Sequence, residues 1–386
     1  MEVLFWISCC ILVYTYLLYG GLIYLLCLGR KESEELGGNH LLPLTVVIAA
    51  YNEEAFIQQK LLNTFSLDYP RDLLEVLVVT DGSSDLTPEL ARKHRGVRVF
   101  HEDERKGKIA AVHRIMEHVH TPITVYTDAN TLLNVEALIE ISNRFRDPSI
   151  GVVSGEKKIL IPSEADASTA GEGLYWKYES ILKKWDANLY SAVGAAGELF
   201  AIRTDLYEAV PKDTLIEDFY MTMRIALRGY RIAYTAEAYA QEEGSANVRE
   251  EMKRKIRIAA GAFQAMKRLG FILSPLKFPL LSFQYFSHRV MRWTLAPLAL
   301  LLLLLSHLVL AGSEGGLYRL SLFPHLGLYL LGACGYWMEK KKIKLKVFFI
   351  PFYFLMMNYC MYAGFVRYLR GKQQVTWERA ERKLAA

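Results

Sequence analysis

The chain has 386 residues and a formal net charge of +5, and 52% of its residues are hydrophobic, more than is usual for a soluble protein. The length is enough for one large domain or two ordinary ones. The hydrophobic excess is concentrated at the two ends of the chain, while the middle has the composition of a soluble domain. All five cysteines lie in or beside the apolar ends, which argues against a disulfide framework, a zinc cluster or a cysteine nucleophile.

The N-terminal segment predicts a membrane helix. Residues 4–28 contain no charged side chain and are long enough to cross a bilayer. Arg30 and Lys31 follow at once, which is typical of a cytoplasmic flank. A cleaved signal peptide is the alternative, but its positive charges would precede the apolar run, and the run here is too long. We therefore predict a transmembrane helix within residues 1–29, with the N-terminus outside.

Four short runs rich in β-branched and aromatic residues follow, and each is succeeded by a polar turn and a helical pattern. These runs cover residues 44–50, 75–80, 97–101 and 123–127. Strand, turn and helix repeated four times predict a doubly wound α/β sheet with parallel strands and right-handed crossovers. The four turns should then meet at the carboxyl edge of the sheet, where open α/β sheets bind ligands.

The first three turns carry side chains that suit a nucleotide. Tyr51 can stack on a base, and Glu53 can hydrogen-bond to a base or ribose. Asp81 ends the second strand and can accept a hydrogen bond from a ring N–H, as in uracil. Lys108 begins a helix, so its ammonium and the helix N-terminal amides can both meet a phosphate. Ordinary turn chemistry explains each one alone, but their convergence on one edge favours a binding site.

The fourth strand ends in Asp128-Ala129-Asn130, which puts two oxygen-bearing side chains two positions apart. Such oxygens suit Mg²⁺ or Mn²⁺ carrying a diphosphate. The alternative is a turn that caps the following helix. The presence of the other three polar turns at the same edge favours the metal site. Asp128 would be its main ligand, and Asn130 would supply a neutral oxygen.

Beyond these four units, the pattern predicts a strand at residues 151–161 and an amphipathic helix at residues 167–189. Small residues then lead through Gly197 and Glu198 into another strand. This segment resembles a loop through which a bulky acceptor passes, so Gly197 and Glu198 are candidates for acceptor binding.

Two later pairs of charged residues are candidates for chemistry. Glu217 and Asp218 precede a helix, where they either complement its dipole or supply a general base. Arg254 and Arg257 lie three apart on a basic helix at residues 249–268 and share a face suited to clamping a leaving diphosphate. Docking of that basic helix on anionic lipid is an equally good alternative, since membrane segments follow.

The C-terminal third contains three more apolar segments, at residues 294–311, 317–338 and 347–366. Five lysines within residues 339–346 mark a cytoplasmic loop, and residues 312–316 carry no Lys or Arg, as expected outside. The middle domain is therefore predicted to be cytoplasmic. If all segments cross fully, the basic tail lands outside, against the charge rule, so either the last segment is re-entrant or the count of spans is off by one.

The predicted organisation follows the chain from end to end. It comprises a transmembrane helix (1–29), a cytoplasmic domain (40–270), an interfacial amphipathic segment (271–293), three transmembrane segments (294–367) and a basic tail (368–386). The net positive charge comes largely from the membrane flanks, which indicates contact with lipid headgroups. Nucleic-acid binding would require a basic stripe on the soluble domain instead.

These residues resemble a family 2 glycosyltransferase of the membrane-integral, cellulose-synthase-like kind, a group that includes the synthases of poly-N-acetylglucosamine and hyaluronan. The resemblance runs from about residue 44 to residue 261 and includes the flanking apolar segments. The family's nucleotide-sugar domain opens with a strand ending in Tyr-Asn-Glu, which matches residues 51–53. Its uracil-contacting aspartate matches Asp81, and its phosphate-side lysine matches Lys108. The resemblance implies a GT-A-type nucleotide-sugar-binding domain flanked by transmembrane helices.

Three further motifs of the family can be matched. Its aspartate–any–aspartate metal motif falls on Asp128 and Asn130, with asparagine in the second place. Its catalytic Thr-Glu-Asp falls on residues 216–218, which makes Asp218 the expected general base. Its Gln-x-x-Arg-Trp motif retains only Arg257 here. In processive synthases the missing tryptophan helps to hold the polymer, so its absence puts processivity in doubt.

The resemblance implies an inverting transfer of a sugar from a UDP-sugar to a polysaccharide or lipid-linked acceptor at the cytoplasmic face of the cell membrane, assisted by Mg²⁺ or Mn²⁺. A sugar-1-phosphate nucleotidyltransferase should instead show a Gly-rich, basic N-terminal loop. An inactive nucleotide-sugar sensor or scaffold is opposed by the retained Glu217 and Asp218. A transporter is opposed by the large soluble domain and by apolar segments that lack buried charge clusters.

Overall fold

The computed structural model describes residues 1–29, 41–160, 167–245, 247–270, 274–341 and 346–371. These described residues contain eight strands: β1 (Leu44–Ala50), β2 (Leu74–Asp81), β3 (Val97–Glu102), β4 (Ile123–Asp128), β5 (Leu132–Leu133), β6 (Ile150–Leu160), β7 (Leu199–Arg203) and β8 (Arg231–Glu243). The helices associated with the sheet are α2 (Ile57–Phe65), α3 (Thr87–Arg92), α4 (Lys108–Met116), α5 (Ala137–Arg144), α6 (Ala167–Leu189), α7 (Glu217–Ala226) and α8 (Val248–Leu269), with 3₁₀ turns at Arg71–Leu73 and Thr204–Leu206.

Four long helices lie outside the sheet. They are α1 (Glu2–Cys27), α9 (Pro279–Ser313), α10 (Gly316–Lys340) and α11 (Lys346–Leu369). Two of them contain π-helical segments, Tyr14–Leu18 in α1 and Phe286–Leu295 in α9. Each of the four strands predicted before residue 130 is present, as are the predicted long helix at residues 167–189 and the basic helix that follows β8.

The strands form one sheet in the order β3-β2-β1-β4-β7-β6-β8-β5. β1 pairs in parallel with β2 and β4, and β2 pairs in parallel with β3, which confirms the predicted direction of the first four strands. The register sets Ala49 opposite Asp128 and Ala50 opposite Thr80. The turns after β1, β2 and β4 therefore open on the same edge of the sheet.

The sheet as a whole contains both parallel and antiparallel strand pairs, whereas the sequence pattern predicted parallel strands. β7 runs antiparallel to both β4 and β6, while β6 and β8 are parallel. Thr127, near the end of β4, pairs with Leu199 at the start of β7. The loop before β7 is consequently delivered to the edge at which β4 ends. A buried strand has the same apolar pattern in either direction, so only the pairing reveals this placement.

Two apolar layers enclose the sheet, and β1 belongs to both. Val46 and Ile48 pack on one side with α2 and α5, while Val47 and Ala49 pack on the other with α4 and α7. All seven residues of β1 are buried, as expected for a central strand covered on both faces. The strands are thus buried between two apolar layers, and the polar turns lie at the edge of the sheet.

Within the described residues, three helices are long and apolar enough to cross a membrane: Glu2–Cys27, Pro279–Ser313 and Val347–Leu369. The predicted segment at residues 317–338 lies in α10, which is not among them because polar side chains and glycines dilute its apolar run. The second half of the predicted interfacial segment, from residue 279, is the start of α9.

Helix α11 packs along α8 of the sheet domain. Gly364 of α11 lies so close to α8 that a Cβ at that position would come within 2.4 Å of the Ala259 Cβ. The last apolar segment is thereby attached to a charged domain helix. The predicted basic flank at residues 30–31, part of the lysine-rich loop (342–345) and most of the basic tail (372–386) lie outside the described residues.

Candidate active site

Lys108 joins two sheet-edge carboxylates at the centre of the site. It is the first residue of α4, and its Nζ lies 2.8 Å from Asp128 Oδ1 and 3.3 Å from Glu217 Oε1. Asp128 ends β4, and Glu217 begins α7. Three residues predicted separately, up to 109 positions apart in the chain (217 − 108), therefore form one ion cluster.

Asp218 lies beside this cluster and next to the small-residue loop. A Cβ on Gly197 would sit 3.2 Å from Asp218 Oδ2 and 3.6 Å from Lys108 Nζ. Burial, together with the neighbouring Glu217 carboxylate, raises the pKa of Asp218 to about 7, although Lys108 acts in the opposite direction. A carboxylate that titrates near neutrality is suited to accept a proton from an incoming hydroxyl.

The charge of Lys108 is maintained by the same carboxylates. Burial by itself would lower the pKa of its ammonium, but Asp128, Glu217 and Asp218 more than offset that effect and raise the pKa. Lys108 therefore stays protonated between the predicted metal turn and the predicted base. It is in position to meet a diphosphate on one side and to restrain the ionisation of Asp218 on the other.

The segment at residues 193–198, here called the acceptor loop, is attached to both α7 and β4. Gly194 has a positive φ of 80°, and a Cβ there would lie 2.2 Å from the Phe219 ring, so only glycine fits. The Ala195 N–H donates to Thr222 Oγ1 at 3.2 Å. Thr127 Oγ1 donates to the Glu198 carbonyl at 3.0 Å. These contacts place Gly197 against the predicted base.

The Glu198 side chain has a different environment from its loop. Its carboxylate pairs with Lys157, whose side chain is 1% exposed and also pairs with Glu242. This ion pair holds the carboxylate against the buried Lys157 ammonium. The backbone of residue 198 thus lies at the site, while its side-chain carboxylate is paired with Lys157 in the domain interior.

The predicted base-binding residues lie at the opposite end of the sheet edge. The Arg105 guanidinium stands 3.8 Å above the Tyr51 ring. Asp81 accepts hydrogen bonds from the Lys106 N–H at 2.8 Å and the Gly107 N–H at 2.9 Å. Asp81 therefore closes the loop that leads into Lys108, and three of its acceptor positions are already in use. Arg105 was not predicted, because it belongs to a polar turn without a recognisable motif.

The turn after β1 is locked to the turn after β2. Asn52, with a positive φ of 52°, accepts a hydrogen bond from the Ser84 N–H at 2.9 Å, and its own N–H donates to Ser83 Oγ at 3.1 Å. The Glu53 N–H donates to Thr87 Oγ1 at 2.8 Å. This arrangement holds Tyr51 and Glu53 at the mouth of the crevice before any ligand binds.

Asp128 and Asn130 provide a donor set for a metal that arrives with a ligand. Among the described residues, no group of three or more His, Cys, Asp or Glu side chains could hold an ion by itself. The Asp128 side chain is 21% exposed at the sheet edge. One carboxylate and one amide oxygen, completed by phosphate oxygens and water, match the usual environment of Mg²⁺ with a nucleotide. The residues therefore fit a metal that binds jointly with a diphosphate.

Lys60 lies directly beneath this turn and was missed in the sequence. Its side chain is fully buried in α2, and its Nζ donates to Thr127 Oγ1 at 2.8 Å and to the Thr131 carbonyl at 2.9 Å. Burial lowers the pKa of Lys60 to about 7. A signal was available, because Ile57, Lys60, Leu61 and Thr64 share the helical spacing of a buried face.

Arg254 does not lie where the sequence predicted. Its guanidinium pairs with Glu172, with Glu251 at 3.1 Å and with Glu242 at 3.2 Å, in a buried cluster between α6, β8 and α8. Three carboxylates already compensate this cation, so it is not available as a diphosphate clamp. Arg257, one turn further along α8, is partly buried. Two of the three acids around Arg254, Glu172 and Glu242, come from distant parts of the chain.

Comparison with known proteins finds sequence similarity over the sheet domain. Residues 45–208 match the profile of glycosyl transferase family 2. The poly-beta-1,6-N-acetyl-D-glucosamine synthase of Staphylococcus aureus (strain COL) is 26% identical over 261 residues, which cover 65% of this chain and 62% of that protein. The beta-monoglucosyldiacylglycerol synthase of Trichormus variabilis (strain ATCC 29413 / PCC 7937) is 26% identical over 249 residues, or 61% of this chain and 52% of that protein. Both matches span less than two thirds of the relative's length.

One solved structure resembles nearly the whole chain. A mannosyltransferase from Pyrobaculum calidifontis, in complex with GDP-Man and Mn²⁺, superposes with a TM-score of 0.74 and 22% identity. The superposition covers 96% of this chain and 99% of that one. The likeness in fold therefore includes the long apolar helices as well as the sheet.

Proposed function

We propose that this protein is an inverting glycosyltransferase that uses a nucleoside diphosphate sugar. Residues 45–208 match the glycosyl transferase family 2 profile, and the fold resembles that of a solved glycosyltransferase, which supports the proposal. The observation that carries the proposal is the position of Asp218. Its carboxylate, with a pKa raised to about 7 by burial and by Glu217, lies between the acceptor loop and the pair formed by Lys108 and Asp128. A base, an acceptor passage and a cation for the leaving group thus meet at one point.

In the proposed reaction, Asp218 accepts the proton of an acceptor hydroxyl as its oxygen attacks the anomeric carbon. The bond from that carbon to the diphosphate breaks as the new glycosidic bond forms, and the nucleoside diphosphate leaves with the bonding electrons. One displacement inverts the configuration. Lys108 stabilises the negative charge that develops on the diphosphate. A divalent ion held by Asp128 and Asn130 with the diphosphate would supply further neutralisation of that charge.

We propose a UDP-sugar as the donor, with Tyr51, Glu53 and Asp81 at the base and ribose. The acceptor is a polysaccharide or a glycolipid at the cytoplasmic face of the cell membrane. The names of the relatives, a polymer synthase and a glycolipid synthase, support these two classes. Isoleucine at position 258, where processive synthases have tryptophan, favours short products. The three apolar helices support anchoring in the bilayer.

A nucleotide-sugar-binding scaffold without catalysis is the second candidate. The close contact of Lys108 with both Asp128 and Glu217 would suit a site that binds a diphosphate and does nothing further. The raised pKa of Asp218 speaks for the enzyme, because a mere binding site has no need of a carboxylate that titrates near neutrality.

The test uses the full chain purified in detergent with Mn²⁺ and a panel of UDP-sugars, with GDP-Man included because a similar fold binds it. Nucleotide release and transfer to a short glycan or glycolipid are measured for wild type, Asp218→Asn and Asp72→Asn. Asp72 is an exposed carboxylate before β2, at the edge of the sheet away from the site. We expect Asp218→Asn to lose at least about a hundredfold in rate, the lower range for a general base, and Asp72→Asn to retain wild-type activity. Equal rates in all three proteins, or no release from any donor, would refute the proposal.

A further inference from the structure

The π-helical segment Phe286–Leu295, at the start of α9, separates the apolar part of that helix from the catalytic domain. π-helices usually occur as single turns and often at functional sites, so a ten-residue segment is unusual. Three of its residues carry ionisable side chains that are nearly inaccessible, with exposures of 1% for His288 and 8% each for Arg289 and Arg292. All three side chains contact α6 or the loop that follows it.

Arg289 holds the first residue of the acceptor loop. Its Nε and Nη2 donate to the Val193 carbonyl at 3.2 and 3.1 Å, and its Nη1 pairs with Glu179 Oε1 at 2.6 Å. A guanidinium that serves a carbonyl and a carboxylate at once is fixed in plane and direction. Val193 immediately precedes Gly194, where the loop turns with positive φ. The start of the loop is therefore set by a side chain of α9.

Trp293 of the same segment reaches the helix that carries the base. Its ring meets the Phe219 ring edge-on, with centroids 5.2 Å apart and planes at 67°. Phe219 follows Asp218, and it is also the ring against which Gly194 is packed. The same π-helical segment thus contacts both partners, the loop through Arg289 and the base helix through Trp293.

The segment is itself braced by two other helices. Arg292 Nη1 donates to Glu179 Oε2 at 2.8 Å, and His288 Nδ1 lies 2.6 Å from Asp186 Oδ2. Tyr19 of α1 donates to Asp186 Oδ1 at 2.6 Å. This buried network ties α1 and α9 to α6, so the two apolar helices determine where Arg289 and Trp293 stand.

We propose that Arg289 and Trp293 are positioning residues that set the acceptor loop and Asp218 relative to each other, so that α9 determines the acceptor end of the active site. Both residues lie outside the region that matches the family profile, residues 45–208. The donor end, at Tyr51 and Asp81, has no contact with them and is built by the sheet. The inference rests on the proposed glycosyl transfer, because it assigns an acceptor side to the site.

The experiment compares full-length Arg289→Gln, Arg289→Lys, Trp293→Leu and Trp293→Phe in detergent. For each protein we measure the affinity for the free nucleoside diphosphate, the slow hydrolysis of the donor without acceptor, and the kcat and KM of transfer against acceptor concentration. Arg319→Gln is the matched control, because Arg319 of α10 also donates to a backbone carbonyl, that of Ala311 in α9 at 2.8 Å.

We expect Arg289→Gln to lower kcat/KM for the acceptor about tenfold or more, the scale of a lost charged hydrogen bond, chiefly through a higher KM. Nucleotide affinity and donor hydrolysis should stay within about twofold of wild type. Arg289→Lys should recover part of the loss, since one ammonium cannot serve both Val193 and Glu179 as a guanidinium does. Trp293→Phe should retain more transfer than Trp293→Leu because it keeps a ring against Phe219.

Two results would overturn the inference while leaving the proposed function intact. One is unchanged acceptor kinetics in Arg289→Gln and Trp293→Leu. The other is an equal fall in nucleotide affinity, donor hydrolysis and transfer, with a lower melting temperature, which indicates a purely structural role. Absence of any transfer by wild type is a different outcome, since it removes the proposed function and the inference with it.

Discussion

Asp218 and Lys108 show how the function of a charged side chain depends on its neighbours. Each follows a motif that the sequence revealed, yet the chemistry comes from their proximity. Lys108 lies within salt-bridge distance of Asp128 and Glu217, and it acts against the burial that raises the pKa of Asp218. The same ammonium can therefore serve the leaving diphosphate and tune the base.

The raised pKa of Asp218 predicts the direction in which kcat changes with pH. A general base must be ionised, and burial with Glu217 raises the pKa of this one to about 7, so kcat should fall as the pH drops through that value. Lys108→Met removes a cation that lowers the pKa of Asp218, and the midpoint of the pH profile should move upward while the rate falls. The measurement is kcat from pH 5.5 to pH 9 at saturating donor and acceptor.

Lys106→Met is the control for that profile. Lys106 is an exposed lysine two residues away that pairs with Glu104 at 2.9 Å, so its removal should leave the midpoint where it is. A rate independent of pH between 6 and 8 in wild type, or a downward shift in Lys108→Met, would contradict the assignment of Asp218 as the base.

At the scale of elements, the acceptor loop is the part whose conformation matters most. It joins the long helix α6 to β7, and Phe219 of α7 occupies the space beside Gly194. Because β7 is antiparallel to β4, the loop ends at the edge where Asp128 lies. The loop is thus shaped by glycine geometry and by strand direction together.

Gly194→Ala tests this arrangement. The added Cβ would lie 2.2 Å from the Phe219 ring at a φ of +80°, so either the loop or the base helix must move. We expect a loss of about 1–3 kcal/mol in the free energy of unfolding and a fall in transfer larger than that in donor hydrolysis. Thermal unfolding and the two assays are measured on the same preparations.

Gly229→Ala separates the effect of backbone strain from the effect of the contact with Phe219. Gly229 also has a positive φ, of 99°, but a Cβ there meets nothing within 4 Å. It should lose some stability through backbone strain and keep wild-type transfer relative to hydrolysis. If Gly194→Ala behaves in the same way as Gly229→Ala, the contact with Phe219 has no part in positioning the loop.

On the scale of the whole molecule, the apolar helices are integrated with the catalytic domain. α11 lies along α8, α1 contacts α6, and α9 reaches the acceptor loop. The likeness to the mannosyltransferase fold extends over both parts of the chain. The apolar helices therefore serve as structural supports of the candidate active site.

Gly364→Leu examines the contact between α11 and α8. Gly364 faces Ala259, with 2.4 Å available for a new Cβ, so a leucine must separate the two helices. We expect a fall in melting temperature in detergent that corresponds to at least about 1–3 kcal/mol, the usual cost of overpacking. Gly327→Leu in α10, where a Cβ meets nothing within 4 Å, is the control and should have little effect. Equal melting temperatures for the two variants would show that α11 does not need to pack closely on α8.

Sequence patterns alone predict the strand-turn-helix order, the convergence of the turns on one sheet edge and the candidates Lys108, Asp128 and Asp218. These features can be predicted locally, because the period of a strand or helix and the chemistry of a turn depend on residues close together in the sequence. The resemblance to family 2 glycosyltransferases, drawn from the same residues, agrees with the family profile over residues 45–208.

Which charges meet depends on the tertiary packing. Arg254 has the spacing of a clamp but is compensated by three acids, two of them from α6 and β8. Lys60, which was not predicted, lies beneath the predicted metal turn. Arg289, 71 residues beyond Asp218 (289 − 218), supports the loop next to it. The free energy of a buried charge depends on its nearest partner at 3 or 4 Å. Residues distant in the chain supply that partner, and local sequence patterns do not predict such contacts.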